Sequence, residues 1–265
     1  MIPMAAVRIE TADSMQKLTW KYAADSNIGR VREKNEDALV ASPATGVFVV
    51  ADGMGGHAAG EVASEMASRT VALRMEALRS AATAGEVRQL VLDAIEEANR
   101  KIVVDSRNHP GREGMGTTLT ALVLRPEGRY VVGHVGDSRM YMSRSGELRR
   151  ITEDHTYVQQ LVNRGRLTEE QARNHPRANL LTRALGTDEV VEVDIYEGDL
   201  TPGDRLVLTS DGLTGMISDT TLEEIMGRSD DKPSQIVERL IEAANEGGGK
   251  DNITAILIEI AAVES

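Results

Sequence analysis

The chain has 265 residues, 41% hydrophobic and 27% charged, which is enough to bury a sizeable core in one large domain or two small ones. Its formal net charge of -12 repels phosphate backbones and anionic lipid headgroups, so nucleic acid and membrane surfaces are poor partners. It has no cysteine, which excludes disulfides, cysteine nucleophiles and thiolate metal sites.

Residues 1–18 carry no firm period and are expected to form a loose extension before a single domain over 19–265. They hold early acids and lack a basic flank with an apolar stretch, so they do not read as a signal peptide. No apolar run nears the roughly 20 residues that span a bilayer, and a cytoplasmic location is expected. Residues 20–26 alternate as a strand, and "DALVASPATGVFVVADG" reads as a hairpin. Two helices follow, over 58–79, with Val62, Met66, Leu73 and Ala77 on one side, and over 86–104, where Val87, Leu90, Val91, Ala94, Ile95, Ala98 and Ile102 recur at helical spacing. Strands return in "TTLTALVLR", "RYVVGHVGDS", "RMYMSR" and "LRRIT". The polar segment 154–185 leans helical, with a capping box at Thr168 and Gln171, and its length suggests a functional flap. Then come the strand "RLVLTSDG", a short helix near 220–226, a helix over 234–245 and a last strand "NITAILIEI". Runs of strands and runs of helices are segregated, which predicts an α+β fold with antiparallel sheets.

Three apolar strands run into aspartate: "VFVVAD" at Asp52, "YVVGHVGD" at Asp137 and "RLVLTSD" at Asp211. Asp251 stands just before the last strand, and Glu36 and Asp37 precede "ALVAS". A strand start lies beside a strand end when neighbours are antiparallel, so these carboxylates can gather at one edge. Any one of them alone reads as a turn former. Crowded together they either take up protons or hold a cation, and an all-oxygen donor set selects Mg²⁺ or Mn²⁺ over Ca²⁺ and Zn²⁺. Gly53 then allows a tight turn and offers its carbonyl, while Gly55 and Gly56 admit conformations closed to other residues. "GMGGHA" also matches a dinucleotide-binding fingerprint, but that fingerprint needs a parallel strand after its helix, and here a second helix is predicted.

The segments "GRVREKNED", "VVADGMGGHAAGE", "GMGTTLTA", "HVGDSRMY", "TEDHT", "LTRALG", "LTSDGL" and "KDNIT" run in order from residue 29 to 254. Together they resemble the metal-dependent, type 2C protein serine/threonine phosphatases in their bacterial form. The resemblance implies a four-layer α/β/β/α sandwich of two mainly antiparallel sheets flanked by helices. It implies a two-metal centre, Mn²⁺ or Mg²⁺, with a third, weaker site. Asp52 would bridge both ions, the Gly53 carbonyl would serve one, and Asp211 and Asp251 the other. Asp37 and Glu36 would act largely through water, Asp137 would help hold the third ion, and Arg32 would bind the phosphate. Two cations about 3.5–4 Å apart bind a phosphomonoester, screen its charge and acidify a water that attacks phosphorus in line. His57, with a free pKa near neutrality, is the candidate acid for the departing seryl or threonyl oxygen, against the plain reading of a histidine in a helix's first turn. The substrates implied are phosphorylated proteins, opposite serine/threonine kinases.

The remaining candidates have structural readings. His134 on an apolar strand reads as core, Thr117 and Thr118 as strand packing with a possible place at the site, and Arg139 as a local ion pair. His109 and His175 receive no role, and His155 belongs to a motif without a mechanism. Residues 164–183 hold five arginines (Arg164, Arg166, Arg173, Arg177 and Arg183) against two glutamates. The plain reading is a solvated face; the sharper one is a flap that selects phosphoproteins. Two functional alternatives remain: a pseudophosphatase that keeps the fold as a binding module, and a metallohydrolase for another phosphoester.

Overall fold

A computed structural model describes residues 17–55, 59–76, 78 and 82–263. In chain order the elements are β1 (Leu18–Asn27), β2 (Asp37–Ser42), β3 (Val47–Met54), α1 (Ala59–Met75), α2 (Ala84–Asn108), β4 (Gly116–Thr117), β5 (Leu119–Arg125), β6 (Arg129–Val135), β7 (Arg139–Arg144), β8 (Glu147–Arg150), α3 (Tyr157–Asn163), α4 (Glu169–Arg173), β9 (Asp194–Asp199), β10 (Arg205–Thr209), α5 (Asp211–Thr214), α6 (Asp219–Met226), α7 (Pro233–Glu246) and β11 (Ile253–Ala262). One sheet has the order β1-β11-β10-β7-β8 and the other β2-β3-β5-β6-β9, with β4 pairing β3. The ladders within both are antiparallel.

Strand periodicity explains the layering. In β3, Val47, Val49 and Ala51 face a core shared with α1 and α2, while Phe48 and Val50 face the core between the sheets. In β11, Ile256, Ile258 and Ile260 enter that same central core, and Ile253, Ala255 and Leu257 face α6 and α7. Strands covered on both sides read as continuous apolar runs. The result is helices, sheet, sheet, helices: the expected four-layer α+β sandwich.

The helices differ from expectation in detail. α1 does not bury Leu73, which is 63% exposed; its core stripe is Ala59, Ala63, Ala67, Val71 and Met75. Small side chains let this helix lie close to β3, and that outweighs the larger residues on the flank. Ala77, expected on the same stripe, lies outside the described residues. α2 starts earlier than expected because Thr83 and Glu86 form a capping box. β9 was not expected, since its sequence "DIYEGD" is the half-exposed edge of a sheet and carries no apolar alternation. Of the expected loose extension 1–18, residues 1–16 lie outside the described residues and Leu18 opens β1. Among the described residues no helix is long and apolar enough to cross a membrane.

Candidate metal centre

The β2–β3 hairpin sets two carboxylates opposite each other, because its register pairs Asp37 with Asp52. In the other sheet β10 and β11 are antiparallel neighbours, so Asp211, the first residue of α5, and Asp251, two residues before β11, reach the same end. Gly212 packs so tightly on the Asn252 carbonyl that a Cβ would collide with it. Asp137 lies in the turn that carries the chain from β6 in one sheet to β7 in the other. All five aspartates therefore meet where the ends of the two sheets face each other.

Gly53 serves this assembly by close approach rather than by a left-handed turn. A Cβ there would strike the Gly60 carbonyl at the start of α1 and stand 2.6 Å from the Glu36 oxygen. Gly60 has the same constraint: a Cβ would lie 2.8 Å from the Glu36 carboxylate and 2.9 Å from the Gly53 carbonyl. Gly55 likewise has no positive φ, and Gly56 lies outside the described residues. The Glu36 carbonyl accepts from Gly53 N at 3.1 Å and from Ser64 Oγ at 2.6 Å, which fastens the loop before β2 to β3 and α1.

Asp37 carries the most specific signal. Its Oδ2 accepts from Ser210 Oγ at 2.7 Å and from Thr254 Oγ1 at 2.6 Å. Its Oδ1 is buried and has no hydrogen-bond partner, and no other side-chain atom among the described residues is so placed. Buried polar atoms are nearly always paired, so a lone oxygen aimed among carboxylates is suited to a cation or to water that a cation orders.

The electrostatics agree. Burial pushes Asp37 up to about 7, against the two hydroxyl donors, and the charges of Asp211 and Asp251 push the same way. Asp52 is raised well above the carboxylate range by burial and then by Asp37, Asp211, Asp137 and Asp251. Asp211 is raised by burial and Asp251, and Asp137 by burial, Asp211 and Asp154. Each carboxylate thus sits in the field of its neighbours, an arrangement stable only with protons or cations present. Among the described residues no three acidic or histidine side chains close on one point as a finished cage. A site here would need main-chain carbonyl and water donors as well.

Arg32 stands at the rim, its Nη2 2.6 Å from Asp251 Oδ2. Burial works against its charge, but the hydrogen bond and the charges of Asp251, Glu36 and Asp52 raise its pKa. Asn252 holds the Arg32 loop in place: its Nδ2 donates to the Ile28 and Lys34 carbonyls at 3.0 and 2.8 Å, and its Oδ1 accepts from Glu36 N at 2.8 Å.

A cleft of about 900 Å³ runs from Asp137, Asp211 and Asp251 to the segment that carries α3 and α4, with Gln159, Arg173 and His175 on its wall. The expected capping box at Thr168 and Gln171 is present. The flap arginines divide. Arg183 pairs with Asp194 at 2.8 Å and Glu192 at 3.0 Å, Arg173 reaches Asp219 at 3.6 Å, and the Arg177 guanidinium lies 5.9 Å from the Tyr157 ring centre. The side chains of Arg164 and Arg166 extend into solvent. His57 lies outside the described residues.

Other candidates resolve. His134 is fully buried, bonded to Thr120 Oγ1 at 2.9 Å and the Glu153 carbonyl at 3.1 Å, and burial drops its pKa to about 3, so it is a core residue. Arg139 grips Asp154 through two bonds of 2.8 and 2.6 Å. Thr117 and Thr118 do more than pack. Thr117 Oγ1 donates to the Asp52 carbonyl at 2.9 Å, and Asp52 N donates to Thr118 Oγ1 at 3.0 Å, which fixes the backbone beneath Asp52. Sequence reasoning missed Ser210, Thr254 and Asn252, although "LTSDGL" and "KDNIT" contain them; small polar residues beside aspartate read as turn formers.

The helix order also disposes of the dinucleotide reading, since α1 leads into α2 and not into a parallel strand. Residues 29–257 match the family described as protein phosphatase 2C. The chain belongs to the protein phosphatase 2C family. A serine/threonine phosphatase stp of Listeria monocytogenes serotype 4b is 42% identical over 234 residues, covering 87% of this chain and 92% of the relative. The Mycobacterium tuberculosis serine/threonine protein phosphatase PstP is 41% identical over 243 residues, 92% of this chain and 45% of that protein. Among solved structures, the catalytic domain of PstP in complex with two manganese ions has a TM-score of 0.81 at 39% identity, covering 92% of this chain and 99% of that one. The phosphatase Stp1 of Staphylococcus aureus has a TM-score of 0.86 at 32% identity, covering 97% and 100%.

Proposed function

We propose that this member of the phosphatase 2C family is a protein serine/threonine phosphatase that uses two Mn²⁺ or Mg²⁺ ions, with a weaker third. The observation that carries this reading is the buried, unpartnered Asp37 Oδ1 amid Asp52, Asp211 and Asp251. Asp52, the Gly53 carbonyl, Asp211 and Asp251 would hold the pair, with Asp37 and Glu36 reaching it largely through water and Asp137 facing the third ion. When bound, the ions supply charge neutralisation for the phosphate and an acidified water.

The chain's own residues do the rest. Ser210 and Thr254 hold one Asp37 oxygen by its lone pairs, which leaves the other free to face the ions. Arg32 offers its planar fork to the phosphate oxygens, exchanging its bond with Asp251 for the substrate. Protonation of the departing seryl or threonyl oxygen falls to His57, whose substitution by glutamine is expected to flatten the alkaline limb of the pH–rate profile. The domain spans 19–265, and 154–185 acts as a flap over the cleft. Arg164 and Arg166 are then the flap arginines best placed to meet a phosphoprotein. Their substitution by glutamine is expected to lower turnover of a phosphoprotein but not of an aryl phosphate; equal losses on both, or none, count against recognition. The partners are phosphorylated proteins in the cytoplasm, opposite serine/threonine kinases.

Phosphate release from a phosphothreonine peptide and an aryl phosphate, with Mn²⁺ and then EDTA, for the wild type and Asp211→Asn, tests the whole reading. Mn²⁺-dependent release from both, lost with EDTA and in Asp211→Asn, is expected. No release anywhere indicates a pseudophosphatase. Cleavage of the aryl compound alone indicates another ester as substrate.

A further inference from the structure

Asp137 lies in a turn whose later side is fixed by Thr118 and Thr120, which bond the Ser138 hydroxyl at 2.6 Å and the Ser138 carbonyl at 2.9 Å. Gly136, the residue before Asp137, has φ +107° and sits against Thr118 so closely that a Cβ would come within 2.6 Å of that side chain. Free backbone of this kind needs an external hold if the next side chain is to have one orientation. On the Gly136 side that hold is His155. Gly136 N donates to His155 Nδ1 at 3.1 Å, and His155 N donates back to the Gly136 carbonyl at 2.7 Å. Both polar groups of one residue are thus captured by one partner.

The clamp is itself fixed. Because Nδ1 accepts, the ring proton of the neutral imidazole sits on Nε2, which faces Asp194 Oδ2 at 3.2 Å. The other Asp194 oxygen accepts from Arg183 Nη1 at 2.8 Å; the same Nη1 lies 3.3 Å from His155 Nε2, but it is the Asp194 carboxylate that can accept the Nε2 proton. Thr182 N donates to the His155 carbonyl at 2.7 Å, so the ring is anchored at its far edge and along its backbone. Only 6% of the His155 side chain is exposed, so the ring itself is enclosed, while Asp194 and Arg183 carry the network out to solvent.

We propose that His155 is a positioning residue: it fixes the Gly136–Asp137 peptide, and so aims the Asp137 carboxylate at a divalent cation, with Asp194 holding the ring in its required tautomer and Arg183 holding Asp194 in place. This rests on the reading of Asp137 as a carboxylate that faces an ion. It also gives Arg183 a different task from substrate recognition.

Calorimetric titration of Mn²⁺ into metal-stripped protein tests this directly. Asp137→Ala is expected to remove one binding step, which identifies the ion concerned. His155→Ala is expected to weaken that same step about ten- to a hundredfold, as loss of a partner behind a metal ligand does, while the other steps keep their affinity. His155→Asn, whose Oδ1 can accept from Gly136 N in place of Nδ1, is expected to restore most of it. A wild-type step in His155→Ala, a uniform loss over all steps, or no recovery in His155→Asn would overturn the proposal. Should His155→Ala not fold, Asp194→Ala removes the anchor at the more exposed edge and is expected to weaken the same step; an unchanged step there also overturns it. If Asp137→Ala loses no step, the reading of Asp137 falls and the proposal with it, visibly in that variant alone.

Discussion

Asp37→Asn is expected to make the metal-free protein more stable while weakening its hold on metal. Burial and neighbouring charges move the Asp37 pKa from 3.8 to about 7. Below pH 3.8 the group is protonated in both folded and unfolded chains, and there is no penalty. Between 3.8 and about 7 the unfolded chain releases the proton and the folded chain keeps it, so stability falls as pH rises. Above that window the penalty is constant. At 1.36 kcal/mol per unit it amounts to about 4 kcal/mol as an upper bound, reduced because the residue keeps some contact with solvent. Asparagine removes the charge and retains one oxygen for Ser210 and Thr254, but it turns an amide into the unpartnered Oδ1 position, costing about 1–3 kcal/mol. The net gain at pH 8 in EDTA is about 1–3 kcal/mol, or roughly 2–10 °C in melting temperature for a chain of this size. Near pH 4 the gain is expected to vanish or reverse. Saturating Mn²⁺ is expected to shrink that advantage at pH 8, because the wild type binds better and up to about 2.7 kcal/mol is available at a hundredfold excess over Kd. Denaturant titrations at pH 4 and 8, with EDTA or Mn²⁺, read all four corners. A variant no more stable than wild type in EDTA at pH 8, or a gain independent of pH, would refute the reasoning.

Gly53→Ala is expected to cost about 1–3 kcal/mol through backbone overpacking against Gly60 and to abolish most activity. Gly85→Ala, whose Cβ meets nothing within 4 Å in α2, is expected to gain roughly 0.5–1 kcal/mol with activity unchanged; thermal melts compare the two. Ser210→Ala removes a hydroxyl donor to Asp37 and is expected to weaken Mn²⁺ binding by about tenfold, the equivalent of about 1.4 kcal/mol, without changing the fold seen by circular dichroism. Arg32→Ala is expected to lower kcat/KM about ten- to a hundredfold on phosphopeptide and aryl phosphate alike, because both present the same phosphate; a loss confined to one substrate would place Arg32 elsewhere.

The layers were legible wherever one physical signal dominated. α7 and the core of α2 announced themselves by period, because one face of each helix is buried and the other exposed, and strands such as "VFVVAD" by apolar runs, because both their faces are covered. α1 was read correctly at Val62 and Met66, which pack against the core, but not at Leu73, since its innermost stripe is mostly alanine and a hydrophobicity pattern favours the larger side chain. β9 was illegible because it is a sheet edge whose partner, β6, lies some 60 residues earlier. The carboxylates were found because strand ends and starts repeat the same residue. Their hydroxyl and amide supports were not, because Ser210, Thr254 and Asn252 gain meaning only when β10, β11 and the β2–β3 hairpin meet in space. His155 is the same case: its partners, Gly136 and Asp194, lie on separate strands and turns.

Anomalous scattering from a crystal grown in Mn²⁺ tests the central claim most directly. Two strong peaks are expected between Asp52, Asp211 and Asp251, one of them on the side of Asp37 Oδ1. An active crystal form with no manganese among these residues, or with manganese bound only elsewhere, would contradict it.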